Sequence, residues 1–393
     1  MKKSKKMMVR AGLAAAVLFS LSGVFCGSVE AAEKTYDGIS RWGATEATEG
    51  DPITVNELNG WGGEAGPVHL TVGTKDTKNV TVHNYSAGEG STAEIHGQNI
   101  SFGGEYGDKQ IGGFWVDTGT ITIGDEDTKN ISLTEIRGQK GAQITINGGR
   151  ESLSLGTINA GQTIIRAGGA NTGKVTVDSI GLWGNYHDDD QKVYGADVVI
   201  DGTQGITVNQ GVAVTMKSKL QLGTENKRGD VQIGLARGTV SVSVDNESTA
   251  DITAGGKIST AGDLRVYQDS AVSMRGAAID INGFVNAAST ANEDDDKVPQ
   301  ISLIAEDSNG KRGDVYAHNM EVDNQGRITV KGDTVTIDDK KAKQQREYSI
   351  RSTGGSSVSI NSNALIMNKG AFFQGGGEMN LIGNKKSLHR DGW

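Results

Sequence analysis

Two acidic runs carry the densest concentration of chemistry-bearing side chains in this sequence: Asp188, Asp189 and Asp190 beside His187, and Glu293, Asp294, Asp295 and Asp296. Carboxylates this crowded suit calcium, which takes about six to eight oxygens from a loop with glycine at its sharp turn. Neither run has the alternating aspartates of an EF-hand, and no stretch matches the glycine-rich nonapeptide of calcium β-rolls. Solvated loops are therefore expected, with weak calcium binding as the chemistry left to them. Trp183, Tyr186 and Tyr194 flank the first run. Paired carboxylates with aromatic platforms would suit a glycan-cleaving enzyme. The plainer expectation is one long insertion loop whose aromatics pack back on the body. Histidines stand at 69, 83, 96, 187, 318 and 389. None accompanies a glycine-any-serine-glycine element for nucleophilic catalysis, and no two have the helical spacing of a zinc site. No catalytic residue, cofactor or metal site is expected.

One tripeptide occurs twice. Arg228-Gly229-Asp230 and Arg312-Gly313-Asp314 each follow a lysine and precede a valine. Integrin-binding proteins present Arg-Gly-Asp on exposed loops, but a tight turn entering a strand asks for the same glycine. The turn reading is preferred, and the two copies stand as weak adhesive-loop candidates.

The elements that would position these groups are short strands. Apolar and polar residues alternate in phrases such as TITI at 120–123, QITI at 143–146, KVTV at 174–177, TVSVSV at 239–244 and SVSI at 357–360. Period two rich in valine, isoleucine and threonine marks strands buried on one face. No amphipathic helix follows residue 32. The best candidate, DDKKAKQQREY at 338–348, is polar nearly all round and reads as a solvated loop with helical tendency.

Drifted copies set the architecture. TVGTKDTKNVTV at 71–82 returns as TIGDEDTKNISL at 122–133, and LGTENKRGDVQI at 222–233 has the same shape. EIHGQ at 94–98 also resembles EIRGQ at 135–139, with residues 84–93 taken as an inserted loop. Copies that drift with indels in polar loops are tolerated where each repeat touches only its neighbours. A β-helix coil of three short strands takes roughly twenty to thirty residues, so the longer displacement spans two coils. The expected fold is all-β, a right-handed parallel β-helix with irregular caps. An immunoglobulin-like array would want hairpins and a large buried aromatic in each module, and the tryptophans at 42, 61, 115 and 183 do not repeat at such a spacing. Aromatics are only 5% of the chain, as a narrow interior would require.

Export is written at the amino terminus. Lys2, Lys3, Lys5, Lys6 and Arg10 precede an apolar stretch over 11–25, and Val29-Glu30-Ala31 fits a small-residue cleavage site. This order is that of a secretory signal peptide cut after Ala31. Cutting there removes Cys26, the only cysteine, so no disulfide or thiol chemistry remains. Glycine is abundant at 57 residues and proline scarce at 3, without the three-residue register of collagen. A net charge of −9 argues against nucleic-acid or anionic-membrane partners. The expected divisions are a signal peptide (1–31), a β-helix domain (32–383) and a polar tail (384–393).

A leader followed by glycine-rich, cysteine-free β phrases such as AQITINGG (142–149) and GTVSVSVDNESTADITAG (238–255) resembles the passenger region of bacterial autotransporters. The resemblance is one of texture over residues 33 to about 383. It implies a passenger exported through a Gram-negative outer membrane, displayed or released, and acting without enzymatic activity as an adhesin on a host-cell or surface glycan or protein receptor. The expected state is a monomer. The sequence departs from the family in having no stretch for a translocator barrel; Trp393 ends the chain, but residues 385–393 do not alternate. The translocator is then expected on another chain or lost, and no asparagine-proline-asparagine signature of two-partner passengers is present. The alternatives are a carbohydrate-active β-helix enzyme, a polysaccharide lyase or glycosidase, and a non-functional remnant of a longer autotransporter.

Overall fold

The computed structural model describes residues 31–61, 66–103, 105–106, 109–110, 113–186, 193–224, 229–236, 238–289, 298–342 and 344–383. All regular structure among them is β-strand. Each phrase pairs in parallel with the phrase one coil later, as a stacked solenoid demands: Ile121 sits beside Ile144, Ile144 beside Ile165, and Ile165 beside Val198. The chain is a parallel β-helix running from Lys34–Tyr36 to Glu378–Ile382.

Three faces enclose the interior. Face one is a sheet of 14 strands that includes His69–Val72, Thr92–Ile95 and Gln143–Ile146. Faces two and three belong to one sheet of 20 strands, because many coils pass from one to the other without a break. Asn130–Gly138 displays the bend. Its first half pairs with Asn99–Phe102 and its second half with the separate strand Gly113–Val116. Among the described residues two antiparallel strand pairs interrupt the coils. Glu105–Tyr106 with Lys109–Gln110 sits at the bend between faces two and three, and Asn185–Tyr186 with Val193–Tyr194 between faces three and one.

Period two places an apolar side chain, most often valine, isoleucine or leucine, in every second position against an apolar side chain of the next coil. Leu70, Ala93, Ile121, Ile144, Ile165, Val198 and Leu220 form one such ladder on face one, each no more than 2% exposed. Full burial of such a side chain contributes roughly 1.5–3 kcal/mol. Polar ladders complete the corners. Ala196, Ser218 and Ser248 donate their backbone N–H to the hydroxyls of Ser218, Ser248 and Ser270 at 3.1, 3.2 and 3.1 Å. The interior also holds a cluster of three rings beside the first hairpin: Tyr85 stacks on Phe114 at 5.2 Å, and Phe102 meets Phe114 edge-on at 5.3 Å.

The drifted copies have a physical reason. Gly73, Gly124 and Gly223 end face one with φ of 72°, 74° and 74°. A Cβ on them would lie 2.1–2.3 Å from the carbonyl oxygens of His96, Asn147 and Thr253 in the next coil. Thr77 and Thr128 then close the turn, each hydroxyl accepting the N–H three residues back at 3.0 Å. Asn79, Asn99 and Asn130 join through side-chain amides at 3.1 and 2.9 Å. The first two copies therefore turn the same corner two coils apart, and Gly223 ends face one in the same way in the third.

The second internal match is not structural. Glu94 lies on face one beside Thr122, whereas Glu135 lies on face three beside Thr157. Residues 84–93 are not an inserted loop either: Asn79–Ala87 and Thr92–Ile95 are strands joined by a four-residue turn. A strand ending in glycine looks alike on any face, so a five-residue match does not identify the face.

Candidate functional site

Ala31 is exposed and precedes the first strand. The Arg-Gly-Asp segments both enter face two at the same corner. Arg228 lies outside the described residues. Gly229 and Gly313 face the backbone of neighbouring coils; a Cβ on Gly313 would lie 1.7 Å from the Ala277 carbonyl oxygen, and one on Gly229 2.1 Å from the Gly205 nitrogen. The exposed Asp230 accepts the Lys257 N–H at 2.7 Å, and Asp314 that of Thr334 at 3.2 Å. Arg312 donates to the Asn361 side chain at 3.0 Å. Coil stacking thus uses the glycine and aspartate of both copies. Asp188, Asp189, Asp190 and His187 lie outside the described residues, as do Glu293, Asp294, Asp295 and Asp296. Among the described residues no three histidine, cysteine or carboxylate side chains converge as a metal cluster.

A groove of about 360 Å³ follows the bend between faces two and three and is roofed by Lys341, Ala342, Gln344 and Arg346. These belong to the polar segment after Ile337, which has no helix among its described residues and folds back on the body. Asp339 anchors it at 2% exposure, accepting from the Arg346 N–H at 2.6 Å, the Asn368 amide at 2.9 Å and the Lys369 ammonium at 2.9 Å. Burial opposes its ionisation, but those three donors outweigh it and hold its pKa below the ordinary value. The Arg346 guanidinium lies 4.5 Å from the Phe284 ring centre and pairs with Glu321 at 3.1 Å. Beneath, Asp263 accepts from Thr239 at 2.9 Å, Arg265 at 2.7 Å and the Phe284 N–H at 3.0 Å. His318 packs edge-on against Phe284 and Tyr316. Burial lowers its pKa, although the carboxylates of Asp339, Asp263, Asp280 and Asp338 pull it upward. Arg265 pairs with Asp263, Arg346 with Glu321 and Lys369 with Asp339, so this groove is a joint between loop and body.

A different arrangement marks the edge where face three turns toward face one. Register aligns Gly60, Ala87, Val116, Gly138, Ala160 and Leu182 on successive coils, so Trp61 and Trp183 occupy the same position five coils apart. Trp115 stands beside that line, two coils from Trp61. Trp61 and Trp115 are 52% and 47% exposed. Both end indoles rest on glycine. A Cβ on Gly88 would come within 3.1 Å of the Trp61 ring. One on Gly161 would lie 2.6–2.7 Å from three atoms of the Trp183 six-membered ring, which therefore lies face-down on the glycine. Trp183 Nε1 donates to Asn159 Oδ1 at 2.7 Å. Between the rings, Arg137 pairs with Glu135 at 2.7 Å and Lys140 with Asp117 at 3.1 Å.

Sequence reasoning saw Trp183 as a neighbour of the acidic run, and the tryptophans at 42, 61, 115 and 183 only as lacking the spacing of immunoglobulin-like modules. Coils of unequal length hide their alignment: Gly138 and Ala160 are 22 residues apart, Ala87 and Val116 29. Comparison with known protein families, curated proteins and solved structures finds no match for this chain.

Proposed function

We propose that this protein is an exported, non-enzymatic binding rod, an adhesin-like passenger of the autotransporter kind that engages a receptor at a cell surface. The observation that carries the proposal is the row of Trp61, Trp115 and Trp183 on a continuous parallel stack. Large aromatic side chains left on the outside of a rigid β surface are characteristic of recognition sites. The stack of 14 strands on face one gives the rod a length of roughly 60 Å at strand spacing, enough to hold such a row away from an anchoring surface. The signal-like residues 1–31 supply the route out of the cytoplasm. Export in this reading uses an outer-membrane translocator.

The test is adhesion by the purified chain lacking residues 1–31. Latex beads coated with it are expected to remain on epithelial cell monolayers through washing, well above albumin-coated beads. Retention equal to albumin on every surface tried, including extracellular-matrix proteins and mucin, would refute the proposal.

A further inference from the structure

We propose that the strip through Trp61, Trp115 and Trp183 binds an extended, uncharged polysaccharide along the axis of the rod; this rests on the binding-rod reading above and names its ligand class. Its shape is the first reason. Trp61 and Trp183 are five coil steps apart, roughly 24 Å at strand spacing, with Trp115 between them. The strip runs along the axis and is a few residues wide, which suits a linear polymer. A protein partner would want a contiguous apolar centre shielded by a polar rim, whereas here polar side chains separate each indole from the next. The spacing of the coils is also close to the length of one pyranose residue, so sugars laid along the rod meet equivalent positions in succession.

The chemistry agrees. The C–H face of a pyranose ring stacks on an indole, while its hydroxyls exchange hydrogen bonds with amides, carboxylates and guanidinium groups. Asn159, Arg137, Glu135, Lys140 and Asp117 provide those groups between the rings. Both cations pair with a carboxylate of the same strip, so among the described residues named here the charges balance and offer nothing particular to an acidic glycan. Gly161 fixes the plane of the Trp183 ring against the coil, and the ring remains partly exposed. Such preorganisation limits the entropy lost on binding. Several weak contacts on one polymer then act together through their effective concentration.

Affinity electrophoresis of the chain lacking residues 1–31 tests this, in gels containing hydroxyethylcellulose or galactomannan as neutral polymers and hyaluronan or alginate as acidic ones. Retardation by at least one neutral polymer is expected, insensitive to salt. In the triple variant Trp61→Ala, Trp115→Ala, Trp183→Ala the apparent Kd should rise at least tenfold. Gly161→Ala should weaken binding while keeping every indole. Far-UV circular dichroism confirms that each variant is folded. Retardation by neither neutral polymer, retardation only by the acidic ones, or equal retardation of the folded triple variant would overturn the proposal. Bead adhesion separates the two readings. Beads coated with the triple variant that adhere as well as the parent refute the strip and leave the binding rod standing. Polysaccharide binding without any adhesion supports the strip and refutes the adhesin.

Discussion

Replacing Gly313 by alanine distinguishes a glycine needed for stacking from one needed for recognition. The new Cβ would lie 1.7 Å from the Ala277 carbonyl oxygen and 2.9 Å from the Ala277 carbonyl carbon. Both are backbone atoms of the preceding coil, so no side chain can swing away and the coils themselves must part. Around this point Gly313 N–H donates to Ala305 at 3.0 Å, Ile279 N–H to Asp314 at 3.0 Å, and Asp333 N–H to Gly313 at 2.6 Å. Overpacking costs about 1–3 kcal/mol, and weakening two of these bonds adds about 1 kcal/mol each. The expected loss is then about 3–5 kcal/mol, concentrated in the coils on either side. Gly169 is the control, since a Cβ there meets no atom within 4 Å; Gly169→Ala should stay within about 1 kcal/mol of the parent. Urea unfolding followed by circular dichroism gives the difference. Hydrogen exchange at Ile279, Ile281, Val315 and Ala317 gives its location. Equal midpoints for the two variants would refute the reasoning. Asp314→Asn completes the dissection, because it keeps an oxygen acceptor for the Thr334 N–H but removes the charge that an integrin-type receptor requires. It should leave stability nearly unchanged.

Three further outcomes follow from the packing. Val231, 2% exposed and stacked between Ile206 and Ile258, should not tolerate aspartate: an unpartnered buried carboxylate costs several kcal/mol, read as a lower urea midpoint. The Tyr85 hydroxyl is buried without a hydrogen-bond partner among the described residues, and burial pushes its pKa far above the ordinary phenol value. Tyr85→Phe should therefore raise the thermal midpoint, by the equivalent of about 1 kcal/mol, and a lowered midpoint would contradict this. Asp339 has a depressed pKa, so its stabilisation is complete above the unfolded value near 3.8 and is lost as pH falls through the folded one. Hydrogen-exchange protection over residues 339–349 should drop on acidification below about pH 4, and Asp339→Asn should remove that pH dependence.

Period two, scarce proline and the Asp-Thr-Lys-Asn repeat were enough to determine strands and a solenoid from the amino-acid sequence. This holds because each is a local requirement: alternation buries one side of a strand, and Gly73, Thr77 and Asn79 close one corner by contacts within a coil or to its neighbour. Which face a phrase occupies was not legible, as Glu94 and Glu135 demonstrate, since all three faces demand the same alternation. Nor was the role of the segment after Ile337. Its polarity marked it as a loop, but the groove it roofs is built from coils up to about a hundred residues earlier. The row of Trp61, Trp115 and Trp183 belongs to the tertiary structure for the same reason. Alignment along the rod depends on the summed lengths of every intervening coil, and hairpins and turns change those lengths without changing the strand pattern that the sequence displays.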